Sequence, residues 1–261
     1  MDYPNAPRDS LLGTVSAIVV DYYTRGNTLD LVRDLSGESD VVDILIVDNT
    51  GDAAYQAGWP REFGPNTRVI ANPRRAGYGE GVNLGVQNTV DTSHILFLNS
   101  DLRLPEGTVH GLLECLVELE YAAVGPLVLD SDGRPQLDAF GKFPDLDTQS
   151  GPLDWITGAC VLVRRDAFEH VGGFDEGYFM YWEDVDFCRR LYALGLRAGI
   201  ADSVNVFHKS GGSDSSVASR YKRARMSRNR YYEKWSPHSF RGYGLRGSSK
   251  AKLIWLKLFC G

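Results

Sequence analysis

Three carboxylates, Glu183, Asp184 and Asp186, stand inside the aromatic run "YFMYWEDVDFCRRLYALG". A carboxylate placed among Phe179, Tyr181, Trp182 and Phe187 loses hydration, so it needs a partner or a chemical task. With a helix starting near Trp182, Phe187, Leu191 and Leu194 recur at i, i+4 and i+7 and form its buried stripe. Asp184, three residues before Phe187, shares that face. Burial of this kind raises a carboxylate's pKa and is typical of groups that exchange protons. Asp186, four residues before Arg190, reads as half of an ordinary ion pair on the solvated side. Glu183 reads as a first-turn acid favoured by the helix dipole.

Something must position these acids. Short apolar runs, "VSAIVV" (Val15 to Val20), "ILIV" (Ile44 to Val47), "RVIA" (Arg68 to Ala71) and "HILFL" (His94 to Leu98), are each followed by a turn and a helix-compatible stretch. Continuous apolar strands alternating with helices indicate a doubly wound α/β domain with a mostly parallel sheet. Ligands of such sheets bind beyond the C-terminal strand ends. There lie Asp48-Asn49-Thr50, the segment "NPRRAGYGEGVNLG" and Asn99-Ser100-Asp101. The glycines of "AGYGEGVNLG" fit neither a Walker loop nor a dinucleotide fingerprint. Asp130 to Pro152, rich in Asp, Gly and Pro, reads as a loop, and "LDWITGACVLVRR" after it as one further apolar strand.

The chain has 261 residues and a net charge of −6, which conceals an asymmetry. From Lys209 onward there are 13 Lys/Arg and 2 Asp/Glu, net +11, against 15 and 32, net −17, before it. Residues 1–208 therefore read as one domain and 209–261 as a basic, helical appendage. Its "SRYKRARMSRNRYYEKW" and "SSKAKLIWLKLFCG" interleave basic residues with Tyr, Trp and Leu, a pattern shared by helices on an anionic membrane surface and by helices packed on a domain. No nucleic-acid motif accompanies the charge, so no nucleic-acid partner is expected. No apolar run reaches the roughly 18 to 20 residues of a membrane span. The polar start and the scattered Cys115, Cys160, Cys188 and Cys260 argue for a cytoplasmic protein, against export, a zinc site or a disulfide framework.

The motifs together resemble family-2 inverting glycosyltransferases with the GT-A fold, closest to the rhamnosyltransferase branch acting on polyprenyl-diphosphate-linked GlcNAc. The resemblance spans about Val15 to His208 and is most specific in "WITGACVLVRRDAFEHVGGFDEGYFMYWEDVDFCRRLYALG". It implies that Val20, Asp21 and Tyr22 form the nucleoside-binding edge. Asp21 and Tyr23 stand where many members carry asparagine. It further implies that Asp48 reads the uracil or thymine base and that Arg75 and Asn83 contact the nucleotide sugar. Asn99-Ser100-Asp101 is similar to the DxD metal motif in its Asn-x-Asp form, with Asp101 as the strong ligand, and His208 to the histidine that completes the metal site. Asp184 matches the general base, with Glu183, Trp182 and Tyr181 on the acceptor side.

What the resemblance implies is chemically coherent. Mn2+ or Mg2+ on Asp101 and His208 suits a departing diphosphate, and a carboxylate opposite the leaving group suits deprotonation of the attacking hydroxyl. The expected donor is a dTDP- or UDP-linked sugar, with L-rhamnose one candidate. The expected acceptor is a glycan or lipid-linked hydroxyl in cell-envelope synthesis, reached by peripheral association with the inner face of the membrane. A sugar-1-phosphate nucleotidyltransferase and a non-catalytic nucleotide-sugar-binding module are the alternatives. The first lacks a lysine-containing Gly-rich loop near the N-terminus, and the second leaves Asp184 without purpose.

Overall fold

The computed structural model describes residues 13–60, 63–136, 139–146, 153–209 and 216–236. Strands β1 (Val15–Asp21), β2 (Val41–Asp48), β3 (Thr67–Ala71) and β4 (His94–Asn99) form a parallel block in the order β3-β2-β1-β4. The block is buried on both faces, which is why its strands are apolar runs rather than alternating ones. Val15, Ala17 and Val19 of β1 enter one core with helices α1 (Arg25–Ser36) and α4 (Thr108–Glu118). Ile18 and Val20 enter a second core with α3 (Tyr78–Val86), α5 (Arg165–His170) and α6 (Glu183–Ala193). Between α1 and α3 sits the single turn α2 (Ala53–Gln56).

Register decides which residues meet at the rim. Asp21 pairs with Asp48 and Val20 with Asn99, so the polar clusters after β1, β2 and β4 share one edge. α3 approaches the sheet because its glycines carry no side chain. A Cβ on Gly85 would lie 2.5 Å from Ile18 Cγ2. The glycine pattern in this segment is thus a device of helix-on-sheet packing.

Beyond β4 the sheet is mixed. β5 (Leu102–Arg103), β6 (Ala123–Leu129), β9 (Cys160–Arg164) and β10 (Ala198–His208) extend it to β3-β2-β1-β4-β9-β6-β10-β5. β9 runs antiparallel to β4 and β6, and β5 antiparallel to β10. The segment expected as one strand, "LDWITGACVLVRR", is two: β8 (Trp155–Ile156) pairs with β7 (Phe140–Gly141), and β9 begins only after Thr157-Gly158-Ala159. β7 also corrects the reading of Asp130 to Pro152 as loop, since Ala139 and Phe143 are buried. Short strands of two residues leave no periodicity to read.

The stripe expected on α6 holds for Phe187 and Leu191, joined by Val185 and Cys188, but Leu194 is exposed. Helix α7 (Val217–Trp235) opens the basic segment and packs on the domain through Ala224, Ser227 and Tyr231. The contact corrects the reading of Asp186, which is fully buried rather than solvated. Arg190 Nε donates to Asp186 Oδ2 at 2.9 Å, as its spacing predicted. Lys234 Nζ at 3.0 Å and Trp235 Nε1 at 2.9 Å also donate to Asp186, both from α7. No periodicity within α6 exposes a partner that arrives some fifty residues later. The apolar residues of "SSKAKLIWLKLFCG", Leu253, Ile254, Trp255, Leu256 and Leu258, which would anchor such a helix on a membrane, and Cys260 lie outside the described residues. Among the described residues no helix is long and apolar enough to cross a membrane.

Candidate active site

A cleft of about 920 Å³ opens at the rim. Val20, Tyr22, Arg75, Asn99, Ser100, Asp101, Tyr181, Trp182, Glu183, Asp184 and His208 all line it, bringing most of the predicted site residues together. Their joint placement has three structural causes.

The first is the end of β10. Its pairing with β5 sets His208 opposite Leu102, and Lys209 N–H donates to the carbonyl of Asp101 at 3.1 Å. His208 Nε2 therefore lies 3.1 Å from Asp101 Oδ1. Gln136 Nε2 donates to the His208 carbonyl at 3.2 Å, which turns Gln136 Oε1 toward His208 Nδ1 at 3.3 Å. In the tautomer whose Nδ1–H donates to Gln136 Oε1, Nε2 and Asp101 Oδ1 are two electron-pair donors side by side, a pair that could hold a cation. One carboxylate oxygen and one imidazole nitrogen suit Mn2+ or Mg2+ when substrate oxygens and water supply the rest of the coordination shell. Among the described residues no group of three or more His, Cys, Asp or Glu gathers for a metal.

The second cause is the start of α6. Tyr181 and Trp182 both adopt left-handed backbone conformations, with φ of 67° and 70°. Each such non-glycine residue costs about 1–3 kcal/mol, a strain that marks functional sites. The reversal aims Asp184 into the cleft and, two residues on, Asp186 toward α7. Asp184 Oδ2 accepts the Gly158 N–H at 3.0 Å and Oδ1 the Val185 N–H at 2.8 Å. Tyr78 Oη donates to the Gly158 carbonyl at 2.7 Å, in the next peptide along the chain, and so helps hold Gly158 in place. Burial raises the pKa of Asp184, opposed by these N–H donors. Burial, then the neighbouring Asp184 charge, raises that of Glu183, whose Oε2 is buried without a hydrogen-bond partner. Two N–H donors on Asp184 and a bare oxygen on Glu183 favour charge on Asp184 over charge on Glu183. Asp184 is half-buried, Glu183 fully so.

The third cause is the loop into α3. Asn49 Nδ2 donates to the carbonyls of Ala76 at 3.0 Å and Gly77 at 3.1 Å, and Tyr78 N–H donates to the Phe179 carbonyl at 3.0 Å. A Cβ on Gly77 would stand 2.6 Å from that same carbonyl oxygen. Gly77→Ala is therefore expected to lose about 1–3 kcal/mol of stability, read by chemical denaturation, because backbone on both sides leaves little room to relax.

Three predicted residues lie away from the cleft lining. Asp48 is fully buried, accepting from Trp59 Nε1 at 2.6 Å and Thr50 Oγ1 at 2.6 Å. Asp21 is likewise buried under Thr28 at 2.6 Å and Tyr55 Oη at 2.9 Å, and burial raises its pKa. Asn83 faces the chain after α5, bonding the N–H and carbonyl of Phe174, each at 2.9 Å. Sequence reading also passed over Gln136, Tyr78 and Gly158. Tyr78 and Gly158 carried a signal, as parts of "AGYGEGVNLG" and "WITGAC", and Gln136 none.

The model of glycosyl transferase family group 2 matches residues 94–260. The chain belongs to that family. It is a glycosyltransferase, and its sheet is that of the GT-A fold. The low-salt glycan biosynthesis hexosyltransferase Agl10 of Haloferax volcanii is 22% identical over 86% of this chain and 76% of its own length. The N-acetylglucosaminyl-diphospho-decaprenol L-rhamnosyltransferase of Mycobacterium tuberculosis is 31% identical over 64% of this chain and 66% of its own, just under two thirds. Among solved structures, the mannosyltransferase PcManGT from Pyrobaculum calidifontis, in complex with GDP-Man and Mn2+, superimposes with a TM-score of 0.60 at 13% identity, covering 94% of this chain and 79% of that one.

Proposed function

We propose that this glycosyltransferase moves a sugar from a dTDP- or UDP-linked donor to a hydroxyl of a lipid-linked or glycan acceptor, with inversion at the anomeric carbon. The observation that carries the reading is one cleft with the Asp184 carboxylate on one wall and the Asp101–His208 pair on another. Likeness to the mycobacterial rhamnosyltransferase supports L-rhamnose as the sugar and an acceptor bearing a prenyl diphosphate. The basic segment from Lys209 onward, net +11, supports a place at the inner face of an anionic membrane.

Asp184 takes the proton of the attacking hydroxyl. Its two N–H donors favour the ionised form against the burial that raises its pKa, and Glu183 beside it is more readily kept neutral. Tyr181 and Trp182 offer apolar faces to a sugar ring. Asn99 and Ser100 line the donor's side, and Arg75 stands between the Tyr22 and Phe179 rings. Asp101 and His208 would hold Mn2+ or Mg2+, which would supply Lewis-acid neutralisation of the diphosphate.

A panel of nucleotide sugars, assayed for released nucleoside diphosphate with Mn2+ or Mg2+, tests this. dTDP-rhamnose is expected to stand out, and EDTA followed by dialysis to remove at least about 100-fold of the rate, restored by adding back metal. Full activity in the chelated protein would remove the metal from the proposal.

A further inference from the structure

The basic residues of α7 divide into two sets. Toward its C-terminus, Arg230 and Lys234 are neutralised by Asp175, at 2.7 and 2.9 Å, and Lys234 also by Asp186. These pairs, with Ser227 Oγ donating to the Met180 carbonyl at 2.8 Å and Trp182 packed 5.2 Å from Tyr231, clamp α7 on the segment that carries Asp184. The N-terminal half thereby roofs the cleft, and Arg220 and Arg223, one helical turn apart, line it. Arg220 has no acidic partner among the described residues, nor has Arg75. Arg223 and Arg75 stack on Phe179 at 5.6 and 5.2 Å, and that ring is 38% exposed. Three guanidinium groups are thus gathered at one place, two of them oriented by the same aromatic ring.

We propose that Arg220 and Arg223, with Arg75 across Phe179, form a second anion site, which binds the diphosphate of a prenyl-diphosphate-linked acceptor. The inference rests on the glycosyltransferase reading and adds to it the group by which the acceptor is held. Guanidinium forks match phosphate oxygens, and a cluster in which Arg220 and Arg75 lack a neutralising carboxylate favours more than one negative charge. The donor's diphosphate has its own place at Asp101 and His208. α7 touches instead the Tyr178 to Trp182 segment, on the side from which a hydroxyl reaches Asp184.

The test titrates the full chain, saturated with dTDP and Mn2+, with farnesyl diphosphate, and with farnesol as control. Farnesyl diphosphate is expected to bind without displacing dTDP, and farnesol to bind at least about tenfold more weakly. Arg220→Gln/Arg223→Gln is expected to weaken farnesyl diphosphate by about tenfold or more, the scale of charge-assisted bonds, while dTDP affinity moves less than about twofold. Arg220→Gln alone, at an exposed position, gives the same direction in a protein whose fold is not at issue. Competition between farnesyl diphosphate and dTDP, equal binding of farnesol, or unchanged affinity in both variants would each overturn the site. The two readings fail separately. A protein that hydrolyses its donor but ignores farnesyl diphosphate loses only the second site. One that binds farnesyl diphosphate but neither dTDP nor any nucleotide sugar loses the glycosyl-transfer reading.

Discussion

Asp184→Asn is expected to lower sugar transfer by about 10²- to 10⁴-fold in a protein that stays folded and still binds nucleoside diphosphate, the usual scale for removing a positioned base. Asparagine keeps the shape and one oxygen for the Gly158 N–H, so a packing role predicts near-normal activity instead. Stability is expected to hold or rise, since a carboxylate whose burial raises its pKa gives up stability on ionising. Linkage sets the sign. With the folded pKa above the unfolded one, the contribution of Asp184 to stability is most favourable below the ordinary aspartate range and is lost as pH rises through the raised value. Activity runs the other way, because the ionised form accepts the proton. The rising limb of kcat/KM against pH should therefore sit above the ordinary carboxylate range, and Asp184→Asn should abolish it. A variant that retains the wild-type rate at matched nucleotide occupancy would remove Asp184 from catalysis.

Asp186→Asn should do the reverse: a large loss of stability, with chemistry intact in whatever folds. Its side chain is fully buried and holds Arg190 and Lys234, whose side chains are 16% and 32% exposed. Removing one partner of a buried pair costs about 3–5 kcal/mol, because the other charges remain without compensation. Lys234 reaches solvent, which favours the lower end, and about 3 kcal/mol corresponds to roughly 6–12 °C in Tm for a chain of this size. Arg190 adds to the cost. It also donates to the carbonyls of Val171, at 2.7 Å, and Gly173, at 2.5 Å, so losing its anchor loosens the chain ahead of α6. Unfolding followed by circular dichroism, beside turnover per folded molecule, separates the two acids. An Asp186→Asn protein as stable as wild type would mean that α7 does not depend on this carboxylate.

Strand content and the catalytic rim were legible because the parallel block leaves an unmistakable pattern. Strands buried on both faces must be continuously apolar, and the turns at their C-terminal ends must be polar where ligands bind. Hence Val15 to Val20, Ile44 to Val47 and His94 to Leu98 located β1, β2 and β4 together with their rim segments. The acidic pair was legible for a related reason, since charge among aromatic residues needs a cause. The tertiary structure alone decided which acid faces which way. Asp184 and Asp186 differ by two positions on one helix, and the sequence shows neither the left-handed turn at Tyr181 and Trp182 nor the arrival of Lys234 and Trp235 on the far side. The same limit applies to His208, whose pairing with Asp101 depends on a two-residue antiparallel contact across more than a hundred residues of chain. Periodicity reports the solvent on either face of an element. It carries no information about which distant element supplies a counter-charge, and in this protein that choice separates an acid facing the cleft from one anchored to a helix.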